Sequence, residues 1–577
     1  MSALFGFTGL PDPALLAMMH RAVQHRGGVS ETLDVKTGRL ATLAVHPIST
    51  APCPTSLAPG IHEWDGGHLA IAGELTRAPS FSVPPSSPSE IASAMKGSFV
   101  AAWMAPNNTL HLLRDGSGRR SLYLTKIGSR WAFSIEPKGL HALPQFPRNL
   151  RPAAIAQFLS FSFIPGKDTM FQGLWEVPAG HWVTLDPEDA EPSFQSYFLP
   201  ERCSDEAPLL NDHEGVALFR RSFAQSVADL LHQDRPAAVF LSGGIDSSVV
   251  TAELAEQCPN KVHTFAIHFG KRYPNELEHA RAVADFCQTR HEEVLVRPRD
   301  FLGRLRSIAW HLDEPIGDPV AMPNFILARH VAAQGFEGVF NGEGGDPLFG
   351  GPKNLPMLLG HWYGGDKDRF ASGFRENAYL ASYRRAYEEL DFLLTPEVRR
   401  EIDWDRDLAA LLRPFFDAPH PTRFLDKLIS INARLKGAHL ILPKVERMLS
   451  ASQLTPLSPL FDERMAELAY RLPGDQKLRR GMEKWALKEA FRGRVPDEII
   501  ARPKSGMRVP VHFWFQGELK RYAHRLLSKK RIEADGLFRS DRVRQILRYQ
   551  TEEGPGRYGI RLWMLITFHL WWEQFGR

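Results

Sequence analysis

The chain has 577 residues, of which 43% are hydrophobic and 24% charged, and its net charge is +4. That length exceeds what one hydrophobic core serves, so two or more domains are expected, with the composition of an ordinary globular protein. So small a charge gives no electrostatic case for a nucleic-acid partner. The four cysteines, Cys53, Cys203, Cys258 and Cys287, form no Cys-x-x-Cys pair, which argues against a disulfide framework or zinc site and fits a reducing compartment. The opening segment has no basic leader followed by an apolar core. No run reaches the ~20 apolar residues of a membrane span; the nearest, 562–572, contains His569 and reads as a buried terminal helix. The expectation is a cytoplasmic protein with no membrane and no nucleic-acid partner.

Residues up to about 200 are rich in Pro, Gly and Ser, with short alternating apolar runs at 40–45, 68–72, 110–113 and 131–135. Such runs between turn signals predict a mainly β domain over 1–200. The acidic, Pro-rich stretch 187–208 reads as a linker and 79–89 as low complexity. A second domain is expected over 210–577. It opens with helical patterns interleaved with apolar strands at 239–241, 264–269 and 338–340, the pattern of a parallel sheet covered by helices. Beyond about 370 the pattern is helical to the end, with loops expected around Pro443, 456–459 and Pro503.

The first of these strands leads into Leu241-Ser242-Gly243-Gly244-Ile245-Asp246-Ser247-Ser248, and a helical pattern follows. Glycines let backbone N–H groups approach an anion, and a helix N-terminus adds a favourable dipole, so the turn suits phosphate. No Gly-Lys-Ser/Thr follows, which excludes the P-loop. The string resembles the pyrophosphate loop of ATP pyrophosphatases, which split ATP to AMP and pyrophosphate. Further segments extend the resemblance: Met1-Ser2-Ala3-Leu4, His25-Arg26-Gly27 and Arg114-Asp115 with Ser121-Leu122-Tyr123 are similar to class II glutamine amidotransferases. Nearly the whole chain is similar to asparagine synthetase B and its relatives. The resemblance implies an α/β protein: an N-terminal, mainly β Ntn-type domain and a C-terminal ATP-pyrophosphatase (HUP-like) α/β domain with a helical extension.

The glutaminase chemistry is missing from this pattern. Where the family has a nucleophilic cysteine the chain has Ser2, a far weaker nucleophile. Where it has an Asn-Gly oxyanion pair the chain has Ala72-Gly73, without the side-chain donor. The glutamine-binding segment before 97–100 is shortened and Pro-rich, and Arg39 reads as either a relic of that site or a surface residue. A degenerate, structural domain is expected.

The synthetase motifs are present. Asp313-Glu314-Pro315 with Asp318 resembles the family's acidic segment, and 342–351 its Gly-Glu-Gly-x-Asp motif. The resemblance makes Asp246 and Asp346 the Mg2+ ligands. It assigns ATP to Leu241, Ser242, Gly243, Gly244, Asp246, Ser247, Ser248, Ile267, Gly342 and Lys444. Lys504, in Arg502-Pro503-Lys504-Ser505-Gly506, matches the family's synthetase lysine, whose charge can stabilise developing anions. Lys444, Arg447 and Lys484 read as either phosphate contacts or structural ion pairs. Thr455-Pro456-Leu457 stands where the family has Glu-x-Arg, implying a different acyl donor or acceptor.

Three relatives share this layout: asparagine synthetases, β-lactam synthetases and lasso peptide cyclases. A dead glutaminase disfavours the first; Glu343, where β-lactam synthetase has tyrosine, disfavours the second. The strings 342–347 and 350–354 look most like lasso peptide cyclases. That reading implies adenylation of an Asp or Glu side chain in a peptide and attack by its N-terminal amine. It makes Glu343 the base or the group that orients the amine, and Lys504 the other catalytic residue. The implied partners are the peptide, a leader peptidase and a leader-binding protein. Asparagine synthesis without glutamine, a β-lactam-synthetase-like ligase and a non-catalytic scaffold are the alternatives. Aromatic residues at 362–387 and 513–515 read as either lining for the peptide cavity or, for most of them, core packing.

Overall fold

The computed structural model describes residues 2–27, 33–37, 41–46, 59–64, 66–77, 87–202, 209–232, 234–259, 261–351, 373–382, 387–503, 506–552 and 559–576. Arg39, Cys53, Cys203, residues 352–354, most of 362–387, and Lys504 with Ser505 lie outside them.

The alternating runs of the first domain form two six-stranded sheets, one ordered Leu174–Glu176, Tyr123–Ile127, Arg130–Ser134, Ala3–Thr8, Ala41–His46, Asp34–Thr37. The other runs Phe194–Ser196, His181–Leu185, Leu110–Arg114, Lys96–Met104, Gly67–Arg77, Gly60–Trp64, with every pairing antiparallel. Side chains alternate between strand faces. Ala70, Ala72, Val100, Ala102 and Leu112 therefore join the main core between the sheets. Leu69, Ile71, Phe99, Ala101 and Leu113 pack outward with Ile91 and Met95. The expected linker departs from this picture: Phe194–Ser196 pairs with His181–Val183, so part of 187–208 continues the sheet.

The second domain holds a parallel five-stranded sheet ordered Arg290–Leu295, Val262–His268, Ala237–Phe240, Gly338–Phe340, Thr455–Leu457. Both faces are covered, as a parallel sheet requires. Ala237 and Val239 pack on Phe219, Val249 and Leu254, while Ala238 and Val339 pack on Ala328, Val331 and Leu449. The two edge strands were not expected from sequence. Arg290–Leu295 reads RHEEVL, and charged residues on an edge strand blunt aggregation. Thr455–Leu457 carries Pro456, tolerated at an edge.

The loop expected at Pro443 is helix. A segment with five-residue hydrogen bonds, Asn432–Ile441, runs directly into Leu442–Ser450, with Pro443 in its first turn. Proline fits there because a first-turn N–H needs no intrahelical partner. The terminal helix Gly559–Phe575 is buried as expected and returns to the first domain, where Arg148 Nη1 donates to Phe575 O at 2.8 Å and Phe171 meets Trp571. Among the described residues no helix is long and apolar enough to cross a membrane.

Charged side chains are buried where the domains meet. Arg26 reaches Glu136 at 2.5 Å and Glu446 at 2.6 Å, and Lys138 joins Glu136 at 2.5 Å to Asp313 at 2.8 Å. Arg447 donates to Leu312 O and the Tyr123 hydroxyl. Burial opposes ionisation of Glu136, but Arg26 and Lys138 hold its carboxyl well below the ordinary range. Each charge is compensated, which makes loss of any one partner costly.

Candidate active site

The chain runs outward from the strand Ala237–Phe240 to one edge of the sheet, then returns to add Gly338–Phe340 on its other side. Open α/β sheets bind ligands at the carboxyl ends of strands where the order reverses in this way. A cavity of about 620 Å³ lies there, lined among others by Leu241, Ser242, Asp246, Ser247, Ile267, Gly342, Glu343, Asp346 and Lys444.

Two glycine-rich turns build its floor. Gly243 has φ +76°, and a Cβ there would stand 2.6 Å from Ala280 N. Gly342 crosses the start of the helix Ile245–Gln257 so closely that a Cβ would meet Ser247 N at 2.5 Å. Only glycine permits either approach. Hydroxyls brace the loop: Ser247 Oγ accepts from Ser242 N at 3.1 Å, and Ser242 Oγ accepts from Gly244 N at 3.3 Å. Gly243, Gly244 and Ser248 do not line the cavity. The Ser248 hydroxyl donates to Gly244 O at 2.8 Å, serving the helix start instead.

Asp246 and Asp346 converge on one cation. Lys484 Nζ lies 2.6 Å from both oxygens of Asp246 and 2.5 Å from Asp346 Oδ1. Lys444 Nζ pairs with Asp318 Oδ2 at 2.7 Å; burial disfavours its charge, but Asp318 and Glu343 raise its pKa. These two lysines therefore make ion pairs at the cavity, whereas Arg447 belongs to the domain junction. Two hard carboxylates beside a cavity fit Mg2+, which takes one or two carboxylates and completes its shell with water and phosphate oxygens. Among the described residues no group of three or more His, Cys, Asp or Glu forms a metal cluster.

The acidic segment divides. Asp318 lines the cavity, but Asp313 and Glu314 turn to the first domain, where Asp313 meets Lys138 and Glu314 Oε1 accepts from Met170 N at 3.3 Å. Burial pushes the Glu314 carboxyl up to about 7. Phe513 and Phe515 are not on the cavity wall. Arg502, Gly506, Met507 and Arg508, on either side of Lys504 and Ser505, are on it.

In the first domain the Ser2 hydroxyl is buried and accepts from Gly73 N at 2.8 Å. The glycine N–H left from the oxyanion pair is thus bonded to the side chain at the nucleophile position, and Ala72 offers no second donor. Sequence reasoning also missed several cavity residues, among them Asn341 and Lys436. Asn341 directly precedes the recognised Gly-Glu-Gly string; Lys436 carried no motif, and its segment lacks ordinary helical periodicity.

A Gly-rich loop at the switch point of a parallel sheet, facing paired carboxylates and joined to an Ntn-type domain, defines an ATP-splitting, amide-forming ligase architecture. Residues 218–573 match the Asparagine synthase family and residues 87–198 the Glutamine amidotransferase domain. The chain belongs to the asparagine synthase family and is an ATP-dependent, AMP-forming ligase. It is 25% identical over 509 residues to "Asparagine synthetase [glutamine-hydrolyzing] 1" of Bacillus subtilis (strain 168), covering 84% of this chain and 78% of that one. It is 27% identical over 530 residues to "Putative asparagine synthetase [glutamine-hydrolyzing]" of Mycobacterium tuberculosis (strain ATCC 25618 / H37Rv), covering 84% and 77%. "Amidase chry2" of Gibberella zeae is 24% identical over 610 residues, covering 90% and 88%.

Proposed function

We propose that this ligase forms a macrolactam in a ribosomally made peptide of the lasso type. The reading rests on the Ser2–Gly73 hydrogen bond: with the catalytic cysteine and the asparagine donor both replaced, glutamine is not the amine source. An amine carried by the substrate itself removes the need for one.

In this mechanism an Asp or Glu side-chain carboxylate attacks the α-phosphorus of ATP and pyrophosphate leaves. The peptide's N-terminal nitrogen then attacks the acyl carbon, AMP leaves, and the excess proton passes to Glu343. Mg2+, held by Asp246 and Asp346, would offset the charge of the triphosphate. Ser242 and Ser247 present hydroxyls to the phosphates, and Leu241 and Ile267 give apolar walls to the nucleoside. A free α-amine titrates near ~8, so a carboxylate base suffices. The cavity must hold the peptide folded, because ring closure is otherwise opposed by chain entropy. A leader peptidase and a leader-binding protein would supply the substrate, in the cytoplasm where ATP is available.

The second reading is asparagine formation from aspartate and free ammonia, favoured by the names of the bacterial relatives. One experiment separates them. Purified protein is given MgATP with a synthetic peptide that has a free N-terminal amine and an Asp or Glu side chain, or with aspartate and ammonium. Loss of one water from the peptide with equimolar AMP supports cyclisation; asparagine formation with an unchanged peptide overturns it.

A further inference from the structure

The cavity gathers five carboxylates, Asp246, Glu276, Asp318, Glu343 and Asp346. Two lysines are committed to them: Lys444, on the cavity wall, to Asp318, and the buried Lys484 to Asp246 and Asp346. A triphosphate and the carboxylate to be activated would add further negative charge. Arg502 pairs with Glu276 at 2.5 Å, and Arg508 is exposed at the rim. Lys436 is different. It lines the cavity, is half-buried, and makes no hydrogen bond or ion pair among the described residues.

Its position is built. Lys436 sits in the five-residue-bonded segment Asn432–Ile441, a rare winding that recurs at functional sites. Four contacts from the N-terminal part of the chain hold this segment on both sides of the lysine. Arg434 Nη2 donates to Glu201 at 2.9 Å and Phe198 O at 3.2 Å; Arg114 Nη2 donates to Ala438 O at 3.2 Å; His439 Nδ1 lies 2.7 Å from Glu176 Oε2. Glu176 is itself paired with Arg114 at 2.8 Å. The acids that act most strongly on Lys436 are Asp346, Asp318 and Glu343, all on the wall of the same cavity. Mg2+ and Lys484, both beside Asp246 and Asp346, would serve the triphosphate, which leaves the uncommitted Lys436 for the other anion of the reaction.

We propose that Lys436 binds the substrate's carboxylate before and during its activation, and that the first domain, without glutaminase chemistry, holds the segment that aims it. The lysine ammonium meets the anionic oxygens of an Asp or Glu side chain and keeps them next to the α-phosphorus against the repulsion of Glu343 and Asp346. This rests on the ligase reading above, because it assigns a subsite of that reaction. It does not depend on which amine attacks.

The test compares wild type with Lys436→Met, Lys436→Gln and Lys436→Arg in pyrophosphate release. The carboxylate is supplied as a synthetic peptide with a free N-terminal amine and an Asp or Glu side chain, or as L-aspartate with ammonium. In Lys436→Met the KM for the carboxylate is expected to rise at least tenfold, with the KM for MgATP within twofold of wild type. Lys436→Arg, which keeps the charge, should recover part of the loss. Melting temperatures check folding, and Lys436→Gln carries the same readout if the methionine variant does not fold. An active wild type whose neutral variants keep the carboxylate KM overturns the assignment. So does an equal rise in both KM values, which would make Lys436 a phosphate contact. A wild type that releases no pyrophosphate with either carboxylate overturns the ligase substrates proposed above, and this subsite falls with them.

Discussion

The Lys484 ammonium bonds both carboxylate oxygens of Asp246 at 2.6 Å, joining residues 238 positions apart in the chain. The same nitrogen reaches Asp346, so one cation holds together the two acids that suit Mg2+. Asp246→Ala is expected to lower pyrophosphate release by roughly 10²-fold or more, the scale for losing one charge-stabilising group. Its melting temperature should fall, because the buried Lys484 then keeps only Asp346 of these two acids. Turnover is therefore compared at a temperature where both proteins are folded. Unchanged turnover would remove Asp246 from the site.

Ser2 offers a contrasting outcome. Its hydroxyl only accepts the buried Gly73 N–H, and an orphaned buried donor costs about 1–3 kcal/mol. Ser2→Ala should therefore lower the unfolding midpoint while leaving ATP-dependent turnover intact. Ser2→Cys should not hydrolyse glutamine, since Ala72 still supplies no oxyanion donor. Ammonia release from glutamine by that variant would show the domain to be competent.

Arg26 and Glu446 link the domains at 2.6 Å, and Glu446 is two residues from Lys444 on the helix Leu442–Ser450. Removing one member of a buried pair costs about 3–5 kcal/mol. Arg26→Met should destabilise the protein on that scale in denaturant and also weaken binding of an ATP analogue, because the helix carrying Lys444 loses its anchor. Destabilisation without any change in nucleotide affinity would separate the junction from the site.

Glu314 gives a pH dependence. Burial raises its carboxyl from 4.5 to about 7 in the folded state, so the native protein keeps a proton that the unfolded chain releases. Its contribution to stability is therefore greatest below about 4.5 and is lost as pH rises to about 7. Glu314→Gln cannot ionise, so its stability relative to wild type should increase between pH 5 and pH 8 in paired melts. A pH-independent difference would contradict the burial argument.

Gly342→Ala tests the turn packing. The new Cβ would stand 2.5 Å from Ser247 N and 2.7 Å from the Asp246 carbonyl carbon, and backbone cannot give way as a flexible side chain can. Nucleotide binding should be lost with the sheet retained by circular dichroism. Normal affinity would mean that the two turns separate in solution.

Much of the fold was legible because its core strands are short apolar runs bounded by glycine and proline. The strands Ala237–Phe240, Val262–His268 and Gly338–Phe340 announce themselves in this way. Arg290–Leu295 and Thr455–Leu457 did not, since edge strands carry charges or proline in place of an apolar pattern. Pro443 misled for a related reason: a proline marks a break only if the preceding winding is ordinary, and that of Asn432–Ile441 is not. The residues around the cavity that came with a motif were identifiable one by one. Those without one, Lys436 above all, were not.

By itself the sequence determined the strand–glycine–helix unit at 237–257 and the replacements at Ser2 and Ala72, because these depend on residue type and local spacing. Only the tertiary structure decided which charges neutralise which. Lys484 joins Asp246 to Asp346, Asp313 and Glu314 turn away to the domain junction, and Lys436 is left facing the cavity. Such pairings form across hundreds of residues, where no local periodicity carries the information, and their energies depend on the burial that the completed fold creates.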